Sequence, residues 1–240
     1  MKTKDILKKI IKKSNFCQKI ARICDMNPYA MQYYGQNGED IFATNFFDKS
    51  HKGTYIDVGA HHPIRFSNTH LLYLAGWRGI NIDPLPGSMD IFKKERPDDV
   101  NLELCISEHT GDIRYYSFEE PAYNTLSETR ANEIISHGYS KLNNTITVKS
   151  KTLSSVLDNY LPANRDIDLM TIDVETMELG VLRSNNWSKF LPKLIIIESL
   201  SSKSLDVSSL RSDPAILFLI EKGYFIIGKT LNAIYLTYEQ

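Results

Sequence analysis

An α/β fold, with helices on both faces of a mostly parallel sheet, is predicted by three features of this 240-residue sequence. Residues 55–58 and 79–82 are short apolar runs carrying or meeting the carboxylates Asp57 and Asp83, and a strand that ends at an acid and a glycine opens a ligand crevice in such folds. Residues 167–172 and 194–197 are almost continuously apolar, as parallel strands buried on both faces must be. Segments of helical character separate these runs, giving the alternation that a doubly wound sheet requires.

The elements follow in chain order. Residues 1–25 are dense in lysine, from Lys2 to Lys19, with Arg22, against only Asp5 and Asp25. Ile6, Ile10, Cys17, Ile20 and Cys24 lie at helical spacing among them, so residues 1–30 read as a basic amphipathic extension broken at Asn27 and Pro28. Such a helix lies on an anionic membrane surface, or it packs on the body or on a second copy in a homodimer. Residues 31–240 form the main domain: a helix over 40–47, a first strand over 55–58, and a helix capped by Ser67 that runs to Ala75. A second strand at 79–82, a helix at 86–95 and a third strand at 100–106 come next, then an extra strand at 113–118 after the turn at Gly111 and Asp112. Strands at 167–172 and 194–197, a helix at 214–222 and an antiparallel pair at 224–227 and 233–237 complete the sheet.

Residues 119–144 break the alternation and read as an insertion, a lid or substrate loop over the crevice. Tyr115, Tyr116, Tyr123 and Tyr139 lie in or beside it, either to stack on a sugar ring or to anchor the loop. The net charge of −1 gives no argument for a nucleic-acid partner. Cys17, Cys24 and Cys105 form an odd set with no CxxC, which suits a reducing compartment. No apolar stretch reaches the roughly 20 residues of a membrane span and the start lacks the pattern of a secretory signal, so a cytoplasmic setting is expected.

The loop after the first strand separates cofactor classes. A pyrophosphate needs several glycines so that bare amides surround it, and here Gly59 stands alone before Ala60, His61, His62 and Pro63. S-adenosylmethionine, with a ribose and an adenine but no phosphate, fits better: Gly59 admits the ligand to the backbone, and Asp83 can accept both ribose hydroxyls. A buried strand pair with no ligand would carry the same residues.

The motifs YGQNGED (34–40), DVGAHHP (57–63), GWRGINIDPLPGS (76–88), IDVE (172–175) and IIIES (195–199) resemble those of the FkbM-type family of S-adenosylmethionine-dependent methyltransferases, in its branch associated with bacterial polysaccharides and glycolipids. The resemblance implies a Rossmann-like class I methyltransferase fold, a mostly parallel seven-stranded sheet with an antiparallel final strand, and O-methylation of a sugar or lipid-linked glycan. It brings the segment of Gln36 and Glu39 back to the cofactor, with Glu39 either pairing with the ammonium group of methionine or serving the following helix as a cap. It places Ser107 and Asp112 near adenine. One departure stands out, since the family usually has glycine after Asp173-Val174-Glu175 and this chain has Thr176 and Met177, so that Thr176 narrows the site or forbids a left-handed turn.

Chemistry belongs at the strand tips. Asp173 and Glu175 end one central strand and Glu198 ends its neighbour. Methyl transfer to an alcohol needs in-line alignment and removal of a proton, for which Asp173 is the first candidate, with His62 as competing base and Glu175 as a further catalytic acid group. Asp173 and Glu198 are also candidate ligands for Mg²⁺ or another hard cation. Two other readings stay open: a non-catalytic glycan-binding or scaffold protein that keeps the fold, and a nucleotide-sugar or NAD enzyme.

Overall fold

Alternating faces of short strands organise this chain, and the computed structural model describes residues 30–199, 210 and 212–239 of it. The chain divides into units Met1–Tyr33 and Tyr34–Gln240, and the second is described here. The expected basic helix, with Cys17 and Cys24, lies outside the described residues. No helix among the described residues is long and apolar enough to cross a membrane.

The order is α1 (Glu39–Phe46), β1 (Thr54–Val58), α2 (His70–Leu74), β2 (Arg78–Ile82), α3 (Ser88–Glu95), β3 (Val100–Leu102), β4 (Cys105–Ile106) and β5 (Gly111–Phe118). A 3₁₀ turn at Pro121–Tyr123 is followed by α4 (Glu128–Ser136), β6 (Leu142–Lys151), α5 (Leu153–Tyr160), β7 (Leu169–Ile172), α6 (Glu178–Arg183), β8 (Leu194–Glu198), α7 (Pro214–Glu221), β9 (Phe225–Lys229) and β10 (Ala233–Thr237). Seven strands form the main sheet in the order β3-β2-β1-β7-β8-β10-β9, and β10 runs antiparallel to both neighbours. This is the arrangement that the family resemblance implies. Val58 pairs with Ile82 on one side and Ile172 on the other, and Ile172 pairs with Ile197, so the carboxyl ends of β2, β1, β7 and β8 finish on one edge.

Strand residues alternate between faces. Ile56, Val58, Ile80, Ile82, Met170, Ile172, Ile195 and Ile197 meet Val156 and Leu157 of α5, Val181 and Leu182 of α6 and Ile216 and Leu219 of α7 in one buried cluster. Tyr55, Leu169, Leu194 and Ile196 take the other face, against Ala43 of α1, Leu72 of α2 and Trp77. Toward the carboxyl edge this second face turns polar, with Asp57, Asn81 and Thr171 all buried. Arg96, at the end of α3, answers that polarity from a fully buried position. Its guanidinium donates to Thr69 Oγ1 (2.7 Å), Ser67 Oγ (2.7 Å), Asn81 Oδ1 (3.2 Å) and the Pro63 carbonyl. The Thr69 hydroxyl donates in turn to Asp57 Oδ2 at 2.6 Å. Arg96 therefore reaches Asp57 through a hydroxyl relay, and the same hydrogen bonds hold the loop between β1 and α2.

The structure corrects the sequence reading in two places. The run at 100–106 is not one strand: β3 ends at Leu102, Glu103 turns aside to accept the Gly87 amide at 2.8 Å, and Cys105–Ile106 joins a separate three-stranded sheet in the order β4-β6-β5. The insertion is consequently larger than 119–144, because β6 closes it over a ten-residue strand that the sequence did not disclose. Most of the β6 side chains are solvent-exposed, with Val148 and Ser150 turned inward, so its apolar alternation is diluted by asparagine, threonine and lysine. Ser67 accepts the His70 amide at 3.1 Å as a cap should, although the helix it precedes covers only His70–Leu74.

Replacing Arg96 with methionine keeps the bulk and removes the hydrogen bonds, leaving buried acceptors without donors. The expected loss of unfolding free energy is about 3 kcal/mol. Urea denaturation of the two proteins measures it, and equal midpoints would show that the buried guanidinium does not stabilise the fold.

Candidate active site

A cavity of about 450 Å³ opens at the carboxyl edge of the sheet, between the tips of β1, β2, β7 and β8 and the insertion. Gly59 fixes its geometry. The residue adopts φ +82°, and a Cβ there would stand 1.8 Å from the Asp173 carbonyl oxygen, so the backbones leaving β1 and β7 touch where any side chain would part them. The Gly59 and Ala60 amides donate to the Ile82 carbonyl at 2.9 and 3.0 Å, folding the loop back over β2. His61 N then donates to Asp83 Oδ2 at 3.0 Å while Leu85 N donates to Oδ1 at 2.9 Å. Each oxygen of Asp83 is thus oriented by one amide and keeps a lone pair for a ligand, which is what pairing with the two hydroxyls of a ribose demands.

Burial pushes the Asp57 carboxyl up to about 6, against the opposing effects of the Thr69 hydroxyl and the Arg96 guanidinium. Asp83 is raised by the same loss of solvent, partly offset by the Leu85 and His61 amides. Leu104, Cys105, Ile106 and Tyr115 line the cavity beside Asp83, giving a largely apolar wall suited to a flat ring.

At the other end, oxygen atoms of Asp173, Glu175 and Glu198 all lie within 4.8 Å of one another. Asp173 is exposed to the cavity, yet protein surrounds it deeply enough that burial raises its carboxyl above the usual range. Glu198 is raised by burial first, then by the Asp173 charge and by the hydrogen bond between the two carboxyls. Two carboxyls this close cannot both ionise cheaply, so Asp173 and Glu198 act as a pair that retains a proton. Glu175 is set apart from them by an ion pair to Arg130 Nε at 3.0 Å. Beneath the turn, Glu178 accepts the Val174 and Thr176 amides at 3.3 and 3.1 Å, and burial pushes its carboxyl up to about 8. Thr176 itself has φ +80°. The threonine does not forbid the left-handed turn but adopts it.

Gln36, Glu39, Asp57, Gly59, Ala60, His61, Asp83, Asp173, Glu175 and Glu198 all line this one cavity. Glu39 accepts the Asn37 amide at 2.8 Å and the Thr230 hydroxyl at 3.2 Å, linking the start of α1 to the β9–β10 hairpin. His62 is not among the lining residues. Its Nδ1 accepts the Ile64 and Arg65 amides, both at 3.0 Å, which makes it a turn-forming residue. Ser107 is also absent from the lining and donates to the His109 carbonyl at 2.8 Å. His61 takes the place beside the cavity instead, with burial and Arg65 lowering it to about 4, so that its ring is neutral.

Of the mouth, the sequence disclosed Tyr123 and Tyr139 but not Arg65, Phe66 or Glu120. Arg65 forms a two-pronged ion pair with Glu120 at 3.0 and 3.2 Å, and its guanidinium lies 4.3 Å over the Phe66 ring. Phe66 and Tyr123 both line the cavity; His61 stacks near Phe66, and Tyr139 stacks near Tyr123. The Arg65–Glu120 pair joins residues 55 apart in the chain, so no local spacing announces it.

Residues 57–225 match the family model of the methyltransferase FkbM domain. No curated protein matches the chain. Among solved structures, one of the methyltransferase FkbM from Methylobacillus flagellatus KT is similar at TM-score 0.46 and 12% identity, over 78% of this chain and 44% of that one. A structure of monomeric WbdD is similar at TM-score 0.45 and 14% identity, over 85% of this chain and 41% of that one. The chain thus spans less than half the length of either structure.

Asp57 yields a test of this site. Its carboxyl ionises at about 6 in the fold against 3.8 ordinarily, so its contribution to stability is fully present below pH 3.8 and is lost as pH rises through 6. Asp57→Asn removes that cost: it should stabilise the ligand-free protein by up to about 3 kcal/mol at pH 7.5 and by nothing at pH 3.5. Chemical denaturation at the two pH values measures this, and an Asp57→Asn protein less stable than wild type at pH 7.5 would contradict it.

Proposed function

Because the chain belongs to the FkbM methyltransferase family, we propose that it transfers a methyl group from S-adenosylmethionine to a sugar hydroxyl of a glycan or glycolipid. The observation that carries this reading is that Gly59 and Asp83, which would hold a nucleoside, line one cavity with Asp173 and Glu198, which would accept a proton. The residues present fit this cofactor. Asp83 would hold the ribose hydroxyls, Leu104, Cys105, Ile106 and Tyr115 would flank the adenine, and Gln36 and Glu39 would face the methionine end. The carboxylate-rich lining favours a cation and disfavours a pyrophosphate, which argues against a nicotinamide dinucleotide.

When bound, S-adenosylmethionine supplies an electrophilic methyl group on a sulfonium. The chain's own residues supply the rest. Asp173 accepts the proton that the acceptor hydroxyl releases as its oxygen bonds to the methyl group and the methyl–sulfur bond breaks, while Glu198 keeps the proton the pair already holds and so leaves Asp173 the ionised member. A pair that must be ready to take a proton is least active in acid, where it is already doubly protonated. Phe66 and Tyr123 offer aromatic faces to a sugar ring on the open side of the cavity. The neutral ring of His61 adds no positive charge to a cavity that would receive a sulfonium.

A second reading, that Asp173 and Glu198 would hold Mg²⁺ against the acceptor hydroxyl, is favoured by the clustering of their oxygen atoms within 4.8 Å. Glu175 would add little to it, being committed to Arg130.

Purified protein given methyl-labelled S-adenosylmethionine and a panel of methyl glycosides should transfer label to at least one glycoside. Asp173→Asn should lower that rate by about 100-fold or more with cofactor affinity kept. An Asp173→Asn protein as fast as wild type would refute the assigned role of Asp173, and loss of turnover on chelation, restored by Mg²⁺, would establish the second reading.

A further inference from the structure

We infer that Arg130 is a positioning residue: from the insertion, it clamps the strained turn that follows β7 and so keeps Asp173 aligned for proton transfer. The inference rests on the role given to Asp173 above. The turn is unusual because the consecutive Glu175 and Thr176 both adopt positive φ, +50° and +80°, and neither is a glycine. A β-branched residue in the left-handed region is disfavoured by its own Cβ, so a conformation of this kind persists only where its surroundings over-determine it.

The surroundings are all present. Asp173 N donates to the Val58 carbonyl at 3.0 Å, and the Asp173 carbonyl rests against Gly59, so the strand side of the residue is fixed by β1. The turn side is fixed from two directions. Glu178 accepts the Val174 and Thr176 amides from below, within the same turn. From above, Thr125 Oγ1 donates to the Glu175 carbonyl at 3.0 Å and Arg130 Nε donates to Glu175 Oε2 at 3.0 Å.

Arg130 has a second carboxylate partner, Glu133 at 3.4 Å, but the two are unequal. The Glu175 side chain is 12% exposed and that of Glu133 is 53%, while Arg130 is 8% exposed. A charged hydrogen bond away from water is the stronger one, so Arg130 is anchored chiefly to the turn. The insertion also supplies Glu120, Tyr123 and Asn124 to the cavity wall. The clamp therefore joins the wall that would meet the acceptor to the carboxylate that would take its proton.

The test pairs Arg130→Met and the milder Arg130→Lys with Thr176→Gly, since glycine adopts the left-handed conformation unaided. Three quantities are read for each protein: hydrogen exchange at the 174–178 amides, affinity for S-adenosylmethionine by calorimetry, and kcat and KM with the glycoside that proves active. Arg130→Met should speed exchange at 174–178 and lower kcat by about 10- to 100-fold while cofactor affinity stays close to wild type. Arg130→Lys should lie between, and adding Thr176→Gly to either should recover most of kcat. An Arg130→Met protein with unaltered exchange at 174–178, or a loss of kcat that Thr176→Gly does not recover, overturns the inference. Should the wild type transfer no methyl group at all, the proposed function fails, and the exchange measurement still decides whether Arg130 clamps the turn. If Arg130→Met does not fold, Arg130→Lys and its double variant with Thr176→Gly carry the same comparison.

Discussion

The contact of the Gly59 backbone with the Asp173 carbonyl is the constraint on which the rest of the site depends. Parallel pairing brings β1 and β7 side by side, but pairing alone does not bring the chains leaving them into touch. Gly59 does so by adopting a left-handed conformation that no side chain would tolerate against that carbonyl. Three consequences follow. The loop after β1 turns toward β2 and places the His61 amide on Asp83. The chain after β7 is held against β1, and Asp173 lines the cavity beside it. The neighbouring tip of β8 then brings Glu198 within reach of Asp173.

A site built this way gathers negative charge, and much of the surrounding structure answers it. Arg96 acts behind the sheet through Thr69 on Asp57, Arg130 acts from the insertion on Glu175, and Arg65 pairs with Glu120 at the mouth. Asp83 is met by backbone amides instead. Asp173 and Glu198 have no arginine partner among the described residues, and their burial is compensated only by sharing a proton. A carboxylate held short of counter-charge is a better base than one already satisfied. The same shortage makes the cavity receptive to a cationic ligand.

The sheet was legible because its strands are nearly pure apolar runs whose tips carry acids; residues 194–197 and 167–172 could hardly be anything else. Asp57, Gly59 and Asp83 were legible as neighbours for the same reason, since they lie in or next to the strand tips, and all three line the cavity. The insertion was only half legible: its presence showed in the broken alternation, its three-stranded sheet did not, because β6 exposes most of its length and lacks a strong apolar period. His62 and Ser107 are engaged in local hydrogen bonds and neither lines the cavity. Arg130 carried no signal at all, because its partner Glu175 is 45 residues distant and their meeting is a property of the folded insertion.

The central claim is that the tips of β1 and β2 form a nucleoside site for S-adenosylmethionine. Calorimetric titration with S-adenosylmethionine, its demethylated product and NADH, repeated with Asp83→Ala, tests it most directly. The account predicts binding of the first two in preference to NADH, and loss of that binding in the variant. Binding of NADH in preference to both, or of none of the three, would contradict it, and in the second case the chain would keep the fold of the family without its chemistry.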